Sequence, residues 1–323
     1  MLERSDSPPI QALAAPSTAP FPAWARTKLV PETQAEAAFL TGAALARLDA
    51  IVHENPPEFG AFRQRLALRA AAASLSRAGR GVDENALRDA FHLTRPGADH
   101  GPAGRRLLAW RGLTAVSVGQ WRSAIGVAAT ALEIPHDEAL QAAIEAAAAC
   151  ASENRLAPFA AARAYQLAKR AMIGAAGRAA DGEALAAWLA DAVLAQKLNW
   201  PFALPLIAEP LFSAAGRRGM PEAGEGGETM RMLLAFARAA ERACDLAREL
   251  QQRAQILVGS APKLRAKGAG AALQALLDDD SLSAATKISG LSERGARRLF
   301  DRLVELGAVR ELTGRAAFRL YGL

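Results

Sequence analysis

The sequence predicts an all-α protein, a multi-helix bundle with a C-terminal winged helix-turn-helix that ends in a small β-hairpin wing. Apolar residues recur with the roughly 3.6-residue period of a helix through most of the chain, and the alternation of a strand is confined to its end. Apolar residues make up 51% of the sequence, which is enough for a packed core. Residues 262–323 follow the order helix, helix, tight turn, helix, hairpin.

The N-terminal segment differs from the rest of the chain. Residues 1–22 are rich in Pro, Ser and Ala without an apolar period, so a disordered tail is predicted there. Order is expected to begin near residues 21–24, where Phe and Trp can anchor the chain. A helical body is predicted over residues 23–259, and a winged helix-turn-helix domain over residues 262–323, after the turn-forming stretch Gly-Ser-Ala-Pro.

The body is predicted to contain about ten helices. In the first, residues 32–52, Phe39, Leu45 and Leu48 fall close to one stripe, and the prolines of Asn55-Pro56-Pro57 end the pattern. No repeat of about 34 to 47 residues has recurring signature positions, so a solenoid is not predicted. The other helices are predicted over residues 62–78, 82–93, 103–114, 117–131, 136–150, 157–175, 181–197, 202–214 and 227–258.

The sequence predicts a soluble, cytoplasmic protein without a membrane partner. No apolar stretch approaches the roughly 18 uncharged residues that a membrane-spanning helix requires. The N-terminus has mixed charge and no apolar block behind it, unlike a secretory signal. Cys150 and Cys244 stand apart in alanine-rich helical stretches, where buried thiols are expected, with a disulfide as the alternative.

Positive charge is concentrated at the C-terminus. The chain has a net charge of +6, and residues 262–323 alone contain 11 Lys or Arg against 7 Asp or Glu. The first 261 residues contain 28 against 26. A local basic excess permits a polyanionic partner and indicates where such a partner would bind.

The first half of the C-terminal module is predicted from its caps and turns. A short apolar helix over residues 270–277 ends at three aspartates. Ser281 is a suitable N-cap for a second helix over residues 282–288. Residues 289–291, Ser-Gly-Leu, then form a tight turn that contains the expected glycine.

The second half is predicted to be a helix and a hairpin. Ser292 caps the third helix, which runs to about Leu306, and Gly307 ends it. Residues 308–321 alternate in the manner of a β-hairpin that turns at residues 313–314, Thr-Gly. This order of elements is typical of a winged helix-turn-helix.

The third helix has two opposite faces when its residues are placed about 100° apart around the axis. The apolar face contains Ala296, Leu299, Phe300, Leu303 and Leu306. The basic face contains Arg294, Arg297, Arg298 and Arg302. Because forked guanidinium groups bind phosphates and guanine edges, this face is predicted to enter the major groove of double-stranded DNA.

Four further basic residues are predicted to extend this nucleic-acid-binding surface. Arg315, near the hairpin tip, is placed to reach an adjacent phosphate backbone or the minor groove. Lys263, Arg265 and Lys267 can add phosphate contacts from the other side of the module. The alternatives are that the charged helix face is only solvated, or that the module docks protein rather than DNA.

Other patterns give no catalytic or metal site, and no cofactor is predicted. His100 follows Asp99 in a glycine-bearing loop, but no HExxH motif, paired cysteines or other ligand spacing accompanies it. The glycine-rich residues 79–81 and 224–227 lack a preceding strand, so they are interpreted as turns. All four histidines are interpreted as solvated loop or helix-end residues: His53, His92, His100 and His136. Four tryptophans are expected in the core: Trp110, Trp121, Trp188 and Trp200.

Residues 272–323 resemble the C-terminal winged helix of many bacterial Fic-type proteins. The resemblance rests on LFDRLVELG at residues 299–307 and VRELTGR at residues 309–315. Fic-type enzymes transfer nucleotidyl groups with a His-Pro-Phe segment and a Gly-Asn-Gly-Arg phosphate cradle. The nearest segment here is Trp200-Pro201-Phe202, which has Trp in place of the histidine and no such cradle after it. The resemblance therefore implies a winged helix without the catalytic residues.

Over nearly its whole length the chain resembles the uncharacterised bacterial family catalogued as domain of unknown function 1403, known chiefly from alphaproteobacterial chromosomes and plasmids. That family brings no established activity with it. The resemblance is carried by residues 22–25 (PAWA), 39–49 (FLTGAALARLD), 63–68 (RQRLAL), 86–90 (ALRDA), 101–105 (GPAGR) and 263–270 (KLRAKGAG).

Taken together, the patterns favour a non-enzymatic, DNA-binding accessory or regulatory protein. Its helical body would serve for self-association or partner binding, and the long helix at residues 227–258 is the candidate for a homodimer contact. One alternative is an interaction scaffold whose winged helix docks protein. A less favoured alternative is a diverged Fic-like nucleotidyl transferase.

Overall fold

The computed structural model describes residues 20–27, 31–92, 94, 97–173, 179–221, 227–313 and 318–323. These residues are mostly α-helical, with one small three-stranded antiparallel sheet, so the predicted all-α class is confirmed. Of the tail predicted at residues 1–22, residues 1–19 lie outside the described residues. Phe21, where order was expected to begin, is buried, and the Arg26 guanidinium lies 5.5 Å from its ring centre.

The helices and strands are numbered in chain order. The helices are α1 (Gln34–Glu54), α2 (Phe59–Arg77), α3 (Glu84–His92), α4 (Gly101–Ala115), α5 (Trp121–Ala131), α6 (Glu138–Ser152), α7 (Ala157–Ile173), α8 (Ala179–Lys197), α9 (Ala208–Phe212), α10 (Ala214–Arg217), α11 (Gly227–Ser260), α12 (Ala269–Asp278) and α13 (Glu293–Glu305). The strands are β1 (Leu282–Ser283), β2 (Arg310–Glu311) and β3 (Leu320–Gly322). Short 3₁₀ helices occupy Ala23–Ala25, Val118–Gln120 and Ala261–Lys263.

The chain divides into two compact units. The larger unit comprises Phe21–Glu54 and Leu66–Asp245. The C-terminal unit comprises Asn55–Arg65 and Leu246–Leu323. Helices α2 and α11 each contribute residues to both units. The domain boundaries derived from the sequence, 23–259 and 262–323, remain predictions.

Helix α8 forms the centre of the larger unit. Every side chain from Glu183 to Ala195 is buried, as expected for a helix that is surrounded by other helices. Its most extensive contacts are with α7, and it also packs against α6, α5, α4 and α9. The core of the larger unit is therefore arranged around a largely apolar, alanine-rich helix.

The four tryptophans predicted for the core are buried, which confirms that prediction. Burial of an indole requires an acceptor for its N–H, and each ring has one. The acceptors are Ser74 Oγ for Trp110 (3.2 Å), Gln196 Oε1 for Trp121 (2.8 Å), the Ala109 carbonyl for Trp188 (3.3 Å) and Asp49 Oδ1 for Trp200 (2.7 Å).

The helix predicted over residues 202–214 is wrong in its first half. Residues 203–206 are not helical, and two short helices, α9 and α10, follow them. Pro205 cannot donate a helical hydrogen bond, and the neighbouring backbone N–H groups are bound by a side chain instead. Asp191 of α8 accepts hydrogen bonds from Leu206 N–H (2.9 Å) and Ile207 N–H (3.4 Å).

The C-terminal unit contains the small sheet, in the strand order β1-β3-β2. Strand β3 is central, pairing Tyr321 with Leu282 on one side and with Glu311 on the other. The Phe300 ring of α13 stacks on Tyr321, with ring centres 4.7 Å apart. Strands β2 and β3 confirm that a hairpin pairs here, but the turn predicted at residues 313–314 is wrong. Glu311 pairs with Tyr321, so nine residues separate the two partners, and residues 314–317 among them lie outside the described residues.

The helix predicted over residues 282–288 is wrong. This segment begins as β1 and continues as hydrogen-bonded turns, such as Thr286 N–H to the Ser283 carbonyl (3.0 Å). The physical reason is pairing with β3, which the local sequence cannot reveal. The tight turn predicted at residues 289–291 is present, and Gly290 has a φ of +77°, which favours glycine.

Candidate nucleic-acid interface

Helix α13 is fixed by its cap and by its apolar face. Ser292 Oγ accepts a hydrogen bond from Gly295 N–H (3.2 Å), which confirms the predicted N-cap. Gly307, with a φ of +67°, follows the end of the helix. Four of the five residues predicted for its apolar face are buried, Leu306 being half-buried: Ala296, Leu299, Phe300 and Leu303.

The opposite face of α13 carries the four predicted arginines, and all four are exposed: Arg294, Arg297, Arg298 and Arg302. Two of them form ion pairs within the helix. Arg297 pairs with Glu293, and Arg302 pairs with Glu305 (2.8 Å). Their side chains are still 63% and 53% exposed, so both guanidinium groups remain open to solvent.

Arg294 and Arg298 differ from the other two arginines. Within the part of the chain that the structure describes, neither has an ion-pair or hydrogen-bond partner, although both lie on a helix with three carboxylates. The third carboxylate, Asp301, lies 3.4 Å from Arg319 of the segment leading into β3. Arg319 thus offsets the negative charge of Asp301 on this face. The sequence patterns did not identify Arg319 as part of the site.

The basic segment before α12 is brought close to the turn before α13. A Cβ atom at Gly268 would lie only 2.6 Å from the Ser289 carbonyl oxygen, and one at Gly290 only 3.2 Å from the Gly268 Cα. This backbone approach requires glycine at both positions. It places Lys267 beside the turn that leads into the N-cap of α13.

Three of the predicted phosphate-contacting residues lie on this segment and are exposed: Lys263, Arg265 and Lys267. None of the three has a polar partner among the described residues. Lys287, on the segment between β1 and the turn, is also exposed and without a partner there. Because residues 282–288 were predicted to be helical, the sequence did not place Lys287 on this surface. The fourth predicted residue, Arg315, lies outside the described residues.

A cleft of about 330 Å³ lies beside the arginine-bearing face of α13. Its lining includes both signs of charge, with Glu293 and Asp301 facing Arg297 and Arg319. Tyr321 also lines the cleft, and its burial raises the pKa of its phenol. The mixed charge makes this cleft less suited to a polyanion than the surface around Arg294 and Arg298.

The described residues contain no group of three or more His, Cys, Asp or Glu side chains that could hold a metal ion. Trp200, the first residue of the segment compared in the sequence with the Fic-type His-Pro-Phe motif, is a buried core residue whose indole N–H donates to Asp49 Oδ1. Cys150 and Cys244 are both buried free thiols, as expected. None of the helices described is long and apolar enough to cross a membrane.

Together, these features define a mostly helical protein with an exposed arginine-bearing helix packed on a small antiparallel sheet. The chain belongs to the family described as "Protein of unknown function (DUF1403)", which matches residues 12–323. The family resemblance noted in the sequence is thereby confirmed. Comparison with curated proteins gave no match. The likeness of residues 272–323 to Fic-type proteins remains a prediction.

Proposed function

We propose that the protein binds double-stranded DNA through residues 262–323, with α13 as the recognition helix of a winged helix-turn-helix. The observation that carries the proposal is the exposed arginine face of α13, on which Arg294 and Arg298 have no partner among the described residues. An unpaired guanidinium is ready to bind phosphate or guanine without first breaking an ion pair.

The order of elements supports the winged-helix part of the proposal. Helix α12, β1, α13, β2 and β3 follow one another, and the hairpin of β2 and β3 takes the place of the wing. The proposed module departs from the usual motif at one point. The helix that ordinarily precedes the recognition helix is replaced by the turns after β1, and the turn at Gly290 leads into α13.

Ion pairing within α13 does not oppose DNA binding strongly. The Arg297–Glu293 and Arg302–Glu305 pairs are exposed pairs on one helix face, and such pairs contribute only about 0.3–0.5 kcal/mol each. A phosphate oxygen offers each arginine a stronger, charge-assisted hydrogen bond. These two arginines can therefore exchange partners when DNA approaches.

Fluorescence anisotropy with a labelled random duplex at about 50 mM salt tests the proposal. We expect Arg294→Ala with Arg298→Ala to raise the dissociation constant at least about tenfold. The matched control is Arg122→Ala with Arg170→Ala, which removes the same charge from two exposed residues of the larger unit. No binding by the unaltered chain, or equal losses in both double variants, would contradict the proposal.

A second function, protein docking by the same module, is favoured by the mixed-charge cleft beside α13. Its carboxylates and the neighbouring Phe318 suit a partner protein better than DNA. Recovery of one stoichiometric partner from nuclease-treated host extract, lost on Asp301→Lys but kept on Arg298→Ala, would favour docking. Self-association through residues 227–258 remains a prediction.

A further inference from the structure

A polar cavity of about 380 Å³ lies within the larger unit, and its lining residues come from α2, α7, α8, α9, α10 and α11. This volume lies within the usual range for small-molecule sites. Buried apolar side chains of Leu211, Phe212 and Met232 form part of the wall. The rest of the wall is charged or polar, which is unusual for a packing defect.

Among the described residues that line this cavity, positive charge exceeds negative charge by two. The cationic residues are Arg77, Lys169, Arg217 and Arg231, against the carboxylates of Glu183 and Glu228. Glu183 is already engaged, since it pairs with Arg77 (2.7 Å) and with Lys169 (3.2 Å). Glu183 therefore leaves one positive charge of Arg77 and Lys169 unbalanced, and Glu228, the other carboxylate, leaves one of Arg217 and Arg231 unbalanced. Uncompensated positive charge in a partly enclosed cavity favours an anionic occupant.

Arg231 gives the most direct indication of such an occupant. Its Nε is inaccessible to solvent and has no hydrogen-bond partner among the described residues. A buried donor without an acceptor is uncommon, because it loses its hydration without compensation. An acceptor oxygen on a bound molecule would satisfy it, and a guanidinium can bind a phosphate through two parallel hydrogen bonds.

Arg217 is held in place by its surroundings. Its Nη1 donates to the Phe212 carbonyl (2.6 Å), which leaves other guanidinium donors available. The buried Arg238 of α11 donates to the carbonyls of Gly216 (2.9 Å) and Arg218 (2.8 Å), on either side of Arg217. The segment that carries Arg217 is thus fixed before any ligand arrives.

Tyr165 adds a neutral donor. Burial, followed by the charge of Glu183, raises the pKa of its phenol, so the hydroxyl keeps its proton at neutral pH. A protonated phenol can donate to an anionic oxygen without adding charge.

We propose that this cavity binds a small organic phosphate. The dianionic phosphate would be held by Arg231 and Arg217, and the organic part would lie against Phe212 and Met232. A phosphate monoester matches the excess of two positive charges, and the apolar wall distinguishes it from inorganic phosphate.

Isothermal titration calorimetry on the full chain tests this assignment with ribose 5-phosphate and AMP, each compared with inorganic phosphate and succinate at constant ionic strength. We expect at least one phosphate monoester to bind about tenfold or more tightly than either comparison anion. Arg231→Gln should weaken that binding about tenfold or more. The exposed Arg170→Gln should leave it unchanged.

Two further measurements separate a ligand site from a structural role or from the DNA surface. Because Arg231 Nε has no partner here, ligand-free Arg231→Gln should melt within about 2 °C of the unaltered chain. Arg294→Ala with Arg298→Ala should leave monoester binding intact. Absence of saturable monoester binding, stronger binding of succinate, or full binding by Arg231→Gln would each overturn the assignment, whatever the DNA measurements give.

Discussion

At the scale of single residues, Asp191 shows how one buried carboxylate shapes the chain. It lies on α8, is fully buried, and accepts hydrogen bonds from the N–H groups of Leu206 and Ile207. Burial raises its pKa well above the ordinary value for an aspartate, and the two backbone hydrogen bonds only partly oppose this effect. The helical period of the sequence gives no sign of it, because the partner groups are backbone atoms of a later segment.

The raised pKa predicts how stability depends on pH. Above the ordinary aspartate pKa of about 4, the unfolded chain releases a proton that folded Asp191 retains. The free energy of unfolding should therefore fall as pH rises from about 4 toward the raised pKa, by up to about 1.4 kcal/mol per pH unit. Asp191→Asn should remove this part of the slope. Urea unfolding over a pH series measures it, and an equal slope in both proteins would contradict the prediction.

At the scale of elements, a helix whose cap, apolar face and end are all encoded by nearby residues could be predicted from the sequence. A short strand that forms only by pairing with a distant segment could not. Helix α13 has a serine cap, a segregated apolar face and a glycine after its end, so its bounds follow from nearby residues. Strand β1 is two residues long, too short for a visible alternation, and it exists because Leu282 and Ser283 pair with β3. The same limit applied to the candidate site. The arginine face was predicted, whereas Arg319 and Lys287 depend on that pairing for their positions.

Two helical glycines are expected to respond in opposite directions to alanine. In the C-terminal unit, a Cβ at Gly60 of α2 would lie 2.6 Å from the Asp278 Cα at the end of α12, so the backbones would have to separate. We expect Gly60→Ala to cost about 1–3 kcal/mol. Gly42 of α1 has nothing within 4 Å of that position, and Gly42→Ala should add about 0.5–1 kcal/mol. Urea unfolding compares them, and similar stabilities would refute the close approach of α2 and α12.

At the scale of the whole molecule, the two units differ in net charge. Residues 55–65 and 246–323 of the C-terminal unit contain 15 Lys or Arg against 9 Asp or Glu, and the larger unit contains 23 against 22. Nearly all of the net charge of +6 therefore belongs to the unit that carries α13. In the larger unit the cationic cavity is a local exception within an almost neutral body. This distribution supports the proposed attraction of a polyanion to one unit and the proposed binding of a small anion to the other.

The same distribution predicts the salt dependence of DNA binding. Each phosphate contact releases about one counterion, so the logarithm of affinity should fall linearly with the logarithm of salt concentration. Arg294→Ala with Arg298→Ala should make that slope shallower by about two, if both arginines contact phosphates. Arg122→Ala with Arg170→Ala removes the same net charge from the larger unit and should leave the slope unchanged. Anisotropy titrations from about 50 to 200 mM salt give both slopes. A steeper or unchanged slope in the α13 variant would show that these two arginines do not contact the phosphate backbone.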